Sequence, residues 1–185
     1  RDHLDEVGVP LLRRVSGGAT VLADSGCAFY AVVLSLRDRP HLRMLDKAHR
    51  FVLGRMQQAL GGLGQSVSID GTSDLVVAGR KVSGNSLRVT RDWLLYHGTL
   101  LRDMDLSVIA KYLRHPPREP EYRGQRDHSD FVTNLNLPRG RLAGALREVW
   151  GADELLPEEK LSVLERKMSQ LIDEKYSQAG WNFAR

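Results

Sequence analysis

The chain contains a single cysteine, Cys27, so no disulfide can form within it. A reducing, cytoplasmic setting is the simplest reading of that scarcity. No apolar run approaches the ~20 residues a membrane-spanning helix needs, and no segment reads as a signal peptide. A strand followed by G-x-G-x-x-G and a helix is absent, which argues against a Rossmann unit. Blocks of one charge sign are absent too: 27 basic and 23 acidic residues are interspersed and leave a formal charge of +4. Nucleic-acid binders concentrate their cations in a patch or stripe, so neither nucleic acid nor membrane is an expected partner. The mild basic surplus suits an anionic small molecule or an acidic protein surface equally well. No His, Cys, Asp or Glu residues fall at metal-ligand spacing, so no metal site made of protein side chains is expected.

What is present is an ordinary globular composition. A 42% hydrophobic and 27% charged chain of 185 residues is long enough for one domain with a sizeable core. The first half reads as successive β-strands. Residues 9–16 and 19–23 suggest two short strands around Gly17-Gly18, and Cys27 to Leu36 suggests a central strand. Pro40 to Leu60 changes to a helical period, with Leu42, Leu45, Phe51, Val52, Met56, Ala59 and Leu60 on one face and Gly61-Gly62 as a stop. Strands follow at 66–69, 74–78, 82–89 and 93–101. A short helix is expected over 106–113 with Asp105 as its cap. Residues 115–130, HPPREPEYRGQRDHSD, are proline-rich and charged; they read as a long surface loop outside the core. Helices over about 139–150 and 158–176 close the chain. The later one carries Leu161, Leu164, Met168, Leu171 and Ile172 on one stripe. The whole is α+β: a mixed, largely antiparallel sheet flanked by helices.

Three short motifs could carry chemistry. In Arg13-Arg14-Val15-Ser16-Gly17-Gly18, the glycines permit close backbone approach and their N–H groups could bind an anion. The arginines could grip a phosphate. On pattern alone, a turn with two exposed cations is the plainer reading. In Gly79-Arg80-Lys81-Val82-Ser83-Gly84, a lysine next to a turn is ordinarily a solvated hairpin tip. It becomes functional only if it points inward, with Ser83 and Gly84 beside it. His97-Gly98-Thr99 ends a strand, and a lone histidine there is more often structural than catalytic. His115 and His128 fall in the charged loop and read as solvated. Cys27 lies in an apolar strand, without a local base, and reads as a buried structural thiol.

Taken together and in order, RRVSGG (13–18), SDLVVAGRKVSGNS (73–86), HGTLL (97–101), DFVTNL (130–135) and EKYSQAGWNF (174–183) resemble the catalytic domain of the lipoate–protein ligase A family. That family belongs to the wider group of biotin and lipoyl ligases. The resemblance spans nearly the whole chain, and the pairing of GRKVSG with HGTLL is its most specific part. It implies a fold related to class II aminoacyl-tRNA synthetases. It also implies a reaction: lipoate is adenylated with ATP and Mg2+, then passed to a lysine of an acyl-carrier domain. Such carriers are the lipoyl domains of 2-oxoacid dehydrogenase complexes and the glycine cleavage H protein.

By the same resemblance Lys81 is the catalytic lysine, touching the acyl carbonyl and the phosphate. Arg14, Ser16, Gly17, Gly18 and Ala19 match the motif that holds acyl chain and phosphate. Asp74, Ser83, Gly84, His97 and Thr99 match positions lining the same cleft. The chain departs from the family pattern at Ala19, where a third glycine is usual, at Ala23, where a histidine is usual, and at Cys27. The expectation is a single catalytic domain over residues 1–185. It would lack the family's preceding N-terminal helix and strands and a C-terminal accessory domain, which a separate subunit would replace. Two alternatives remain at this point. One is an ATP-independent octanoyl or lipoyl transferase of the same fold, which would need a cysteine nucleophile shortly before the GRK motif, where this chain has none. The other is a divergent, non-catalytic acyl- or protein-binding module. The GRGRxGR-like pocket motif of biotin ligases is not found.

Overall fold

The computed structural model describes residues 4 and 6–184. Two compact units divide the chain: Ser16–Ala152, and Arg1–Val15 with Asp153–Arg185.

The larger unit is built on a five-stranded antiparallel sheet. Its strands are β1 (Cys27–Ser35), β2 (Val67–Asp70), β3 (Asp74–Val77), β4 (Arg80–Val89) and β5 (Trp93–Leu101), arranged in the order β1-β5-β4-β3-β2. All five fall where the hydrophobic patterning places them. Two expected strands do not form: residues 9–16 and 19–23 are irregular. Neither stretch has a partner strand alongside it among the described residues, and Pro10 removes a ladder donor from the first. The strand expected to be central, β1, pairs among the described residues only with β5 and forms an edge of this sheet. Its apolarity is accounted for differently on its two faces. Ala28, Tyr30, Val32 and Leu34 pack into the core, while Phe29 and Val33 on the other face are exposed.

Helix α1 (Leu45–Gly62) follows a turn of 3-10 helix that begins at Pro40, a residue whose fixed φ suits a first helical turn. Ala48, Val52, Leu53, Met56, Ala59 and Leu60 bury one stripe of α1 against the sheet, but Leu45 at its start is exposed. Helix α2 (Ser107–Tyr112) is held at its start by the Asp105 carboxylate, which accepts from Ser107 N at 3.0 Å and Ser107 Oγ at 2.6 Å. Helices α3 (His128–Phe131) and α4 (Arg139–Trp150) complete the unit. The α4 residues Leu142, Leu146 and Trp150 extend the main core beside α1. There the Arg55 guanidinium lies between the Phe51 and Trp150 rings, 5.2 and 5.1 Å from their centroids.

A second, smaller apolar cluster comprises Leu101, Met104, Ile109, Phe131 and Val132, with Cys27, Leu22 and Tyr122 packed at its margin. Several of its members come from the stretch after β5. The 115–130 segment is therefore more than a surface loop. It holds a 3-10 turn (Glu121–Arg123), buries the Arg123 side chain to 4% exposure, and stacks that guanidinium 4.5 Å from the Phe131 centroid. A charged residue enters the interior because its planar cation has an aromatic face to lie on and Arg126 O, 3.0 Å away, to donate to.

In the smaller unit, helix α5 (Glu158–Leu171) continues into a π-helical turn (Ile172–Tyr176), and helix α6 (Ala179–Asn182) follows. Its extended residue Arg13 receives the Trp181 indole N–H on its carbonyl and donates its own N–H to Asn182 Oδ1. The apolar stripe of α5 forms as the period requires, yet Leu161, Leu164, Met168 and Leu171 are all about half exposed.

Two features of the larger unit give stability predictions. Gly98 faces Asn85, and a Cβ there would lie 1.8 Å from Asn85 Oδ1 and 2.9 Å from Tyr30 Cε1. Gly98→Ala should destabilise the fold by about 1–3 kcal/mol through overpacking. Gly54→Ala, inside α1 with open space around it, should stabilise by about 0.5–1 kcal/mol. Chemical denaturation midpoints check both signs. His49 Nδ1 lies 2.9 Å from the buried Tyr96 hydroxyl, and burial lowers the histidine's pKa. The unfolded ring then takes up a proton before the folded one does. Stability is complete above about pH 6.5 and declines as pH falls from there toward the folded-state pKa. Denaturation as a function of pH should show that slope in the wild type and a flatter one in His49→Gln.

Candidate functional site

The lysine of the GRKVSG motif is aimed by two local irregularities. Strands β3 and β4 are joined by Ala78 and Gly79 alone, at φ +48° and +73°. Positive φ at both positions is the signature of the tight hairpin turn whose twist matches its flanking strands. The second irregularity is a β-bulge. On an unbroken ladder Gly84, Val82 and Arg80 would share one face, and Ser83 and Lys81 the other. Instead Leu75 pairs with Ser83 and Val76 with Lys81, which leaves Val82 as the extra residue. Val82 and Ser83 are both fully buried. One inserted residue reverses the alternation beyond it, so Lys81 emerges on the face of Gly84 and its cross-strand partner Asp74.

There the Lys81 ammonium meets Asp74 Oδ1 at 2.8 Å. The pair is largely shielded, with side-chain exposures of 28% and 10%. The second carboxylate oxygen of Asp74 accepts the Tyr122 hydroxyl at 2.8 Å. Gly84 provides the room for this arrangement, since a Cβ on it would lie 3.1 Å from both Cε and Nζ of Lys81. The backbone of Lys81 is also tied down. It bridges in parallel to Val132, and its carbonyl accepts the Thr133 N–H at 2.9 Å.

Along the same face, Thr99 lies opposite Gly84 and His97 lies opposite Ser86. The Ser16-Gly17 bend is fastened here. Ser16 Oγ is 2.6 Å from His97 Nε2, and the Ser86 hydroxyl donates to Gly17 O at 3.0 Å. Gly18, at φ +103°, carries the exposed chain onward to Ala19. Ser16 and Gly17 thus belong to the sheet face that carries Lys81, Asp74, Gly84, His97 and Thr99. Ser83 does not: it is turned toward the main core, within 3.0 Å of the Asn85 side-chain amide. Arg14 belongs to the smaller unit, where burial lowers its pKa.

Asn85 and Tyr122 join this assembly without having been singled out by the sequence. The Asn85 amide donates to Ser73 O at 2.7 Å and to Ser83 Oγ, its oxygen accepts the Tyr30 hydroxyl, and Ser73 Oγ donates back to Asn85 O at 3.0 Å. This reciprocal clamp fixes the residue before Asp74 to the strand that carries Lys81. Cys27 takes part in none of the hydrogen bonds described above. Its thiol lies 3.5 Å from Met104 Sδ, and burial raises its pKa.

The family model described as lipoyl protein ligase A/B catalytic domain matches residues 1–141. Lipoate-protein ligase LplJ of Bacillus subtilis (strain 168) is 26% identical over 193 residues, covering 99% of this chain and 57% of that protein. Probable lipoate-protein ligase A of Mycoplasma genitalium is 27% identical over 189 residues, covering 99% and 55%. The chain therefore spans little more than half the length of these curated relatives. Among solved structures, a bi-partite lipoate protein ligase from Thermoplasma acidophilum, studied with its E2 lipoyl domain, superposes with a TM-score of 0.78 at 22% identity, over 98% of this chain and 73% of that one. Lipoate-protein ligase A bound with ATP gives 0.71 at 21% identity, over 98% and 74%. At these identities the likeness is one of fold.

The Lys81–Asp74 pair yields a direct test. Lys81→Met leaves a shielded carboxylate without its cation and should cost about 3–5 kcal/mol of stability. Replacing both residues, as Lys81→Met with Asp74→Leu, removes the stranded charge and should recover most of that loss. Urea denaturation of the two single variants and the double variant gives the coupling; additive losses would mean that the two groups do not interact.

Proposed function

Because the chain belongs to the lipoyl protein ligase A/B catalytic-domain family, we propose that the sheet face carrying Lys81 activates lipoate as its adenylate and hands the acyl group to a lysine of a lipoyl carrier domain. The observation that carries this reading is the placement of one shielded ammonium on the face to which the Ser16-Gly17 bend is pinned. In the first step a lipoate carboxylate oxygen attacks the α-phosphorus of ATP. A C(O)–O–P linkage forms, the Pα–O bond to the β-phosphate breaks, and pyrophosphate leaves. Two anions must meet for this to happen, and the Lys81 ammonium lowers their repulsion and stabilises the charge that develops. In the second step a neutral lysine amine of the carrier attacks the acyl carbon; the C–N bond forms, the C(O)–O bond to the phosphate breaks, AMP departs and the amine's surplus proton passes to solvent.

Asp74 holds the ammonium in place before the substrates arrive. Ser16, Gly17, Gly18 and Ala19 offer backbone to the adenylate, His97 and Ser86 hold that bend, and Thr99 and Gly84 floor the same face. Ser83 contributes through Asn85 rather than by direct contact. Magnesium fits this reading as an ion carried by the nucleotide. Among the described residues no group of three or more His, Cys, Asp or Glu side chains is placed to hold a metal, and both Asp74 oxygens already have partners. Mg2+ typically keeps phosphate oxygens and waters as ligands, and bound in that way it would neutralise phosphate charge.

The ATP-bound and lipoyl-domain-associated relatives support ATP as co-substrate and a lipoyl domain as acceptor. The bi-partite relative likewise supports a separate accessory subunit. Cys27 favours the ligase over a cysteine-dependent transferase, because a thiol whose pKa is raised by burial is a poor nucleophile at neutral pH. No helix among the described residues is long and apolar enough to cross a membrane.

Lipoate-dependent exchange of pyrophosphate into ATP tests the reading. Lys81→Ala should reduce the exchange rate by about 10²–10³. Cys27→Ser should leave it within about twofold, since the thiol touches none of these groups. Exchange at the wild-type rate in Lys81→Ala, or a covalent acyl group on Cys27, would defeat it.

A further inference from the structure

The carboxylate that meets Lys81 is itself held from the other side. We propose that Tyr122 is a positioning residue for Lys81: its phenol fixes the Asp74 carboxylate so that one oxygen is always presented to the ammonium. The inference deepens the proposed function and rests on it for its catalytic consequence. A carboxylate turns easily about its terminal torsion, which is broad and roughly two-fold. With Lys81 as its single donor, the group could rotate and carry the ammonium with it. With Lys81 on Oδ1 and Tyr122 on Oδ2, both at 2.8 Å, that rotation breaks a charge-assisted hydrogen bond.

Tyr122 is equipped for the task. Its ring packs against Phe131, with centroids 5.2 Å apart, and against the turn at Gly71, where an added Cβ would lie 3.3 Å from Tyr122 Cε1. Its backbone is held as well: Arg126 donates to Tyr122 O at 2.8 Å and to Gly79 O at 3.0 Å, stitching the segment to the hairpin turn that precedes Lys81. Arg80, the neighbour of Lys81, reaches the opposite way and donates to Ser129 O and Val132 O at 2.8 and 2.7 Å. The segment is therefore locked to both flanks of the lysine, and Tyr122 is the point at which it touches Asp74. The phenol remains a donor throughout the accessible pH range. Burial and the facing Asp74 charge, with a smaller effect from Asp70, raise its pKa, while Arg126 opposes them weakly.

Tyr122→Phe deletes the hydroxyl and keeps the ring, so the packing on Phe131 and Gly71 survives. Two readouts are compared in wild type, Tyr122→Phe, Asp74→Asn and the double variant. The first is the rate at which acetic anhydride labels Lys81, followed by mass spectrometry on the whole chain. Losing a hydrogen bond to a charged group should speed labelling by about tenfold in Tyr122→Phe. Asp74→Asn should behave similarly, and the double variant should be no faster than the faster single. The second is lipoate-dependent exchange, where kcat should fall about tenfold in Tyr122→Phe with KM values within about twofold. Unchanged Lys81 labelling in Tyr122→Phe, or additive effects of the two substitutions, overturns the proposal. If labelling responds as expected but wild type forms no acyl-adenylate, the positioning role stands and the ligase reading fails.

Discussion

The ion pair between Lys81 and Asp74 is the constraint around which the larger unit is arranged. A largely shielded ammonium is costly unless a counter-charge meets it, and a shielded carboxylate is equally costly alone. Each therefore fixes the other, and the surrounding structure is what keeps them 2.8 Å apart. The Ser73–Asn85 clamp holds the strand with the carboxylate to the strand with the lysine. Gly84 leaves space for the lysine stem, and Gly98 leaves space for the clamp. Polar groups in this region are satisfied by one another, so the arrangement is rigid for the same reason that it is tolerable away from water.

The two faces of the sheet carry different duties. Against α1 and α4 the sheet presents a continuous apolar core in which Tyr96 and Val82 are fully buried. The opposite face is covered partly by the second cluster and by the segment after β5, and there the polar side chains gather. A packed core on one side supplies the stability that lets the other side keep shielded charges and a strained turn residue, Ala78, in the left-handed region. Placing these groups on a rigid sheet rather than on loops would hold them within the narrow tolerances that the proposed chemistry needs.

Much of this was legible in the amino-acid sequence, and the limits have physical causes. The five strands and α1 follow from periodicities of two and 3.6 residues, which depend on neighbouring residues alone. The motif residues Lys81, Asp74, His97 and Gly17 could be picked out by type and spacing. Which way Lys81 points could not. Simple alternation from Ser83 sends it toward the core, and only the pairing of Leu75 with Ser83 reveals the bulge. Tyr122 was hidden because its segment has almost no apolar pattern. Its place depends on stacking with Phe131 and on Arg126 reaching a carbonyl far along the chain, both of which are tertiary contacts. The strands expected near Gly17-Gly18 failed for the converse reason: local propensity suggested pairing where no partner strand comes alongside.

The bulge has a consequence for how such a sheet face can change over evolutionary time. Point substitutions on β3 and β4 alter the groups on offer by degrees, because the backbone that presents them is unchanged. Adding one codon to β3 between Leu75 and Val76 is a different kind of event. It would give Val82 a cross-strand partner, restore strict alternation and swing the ammonium to the far side of the sheet, with every neighbouring residue still of the right type. In lineages descended from such a chain, the length of this hairpin should consequently drift less than its composition.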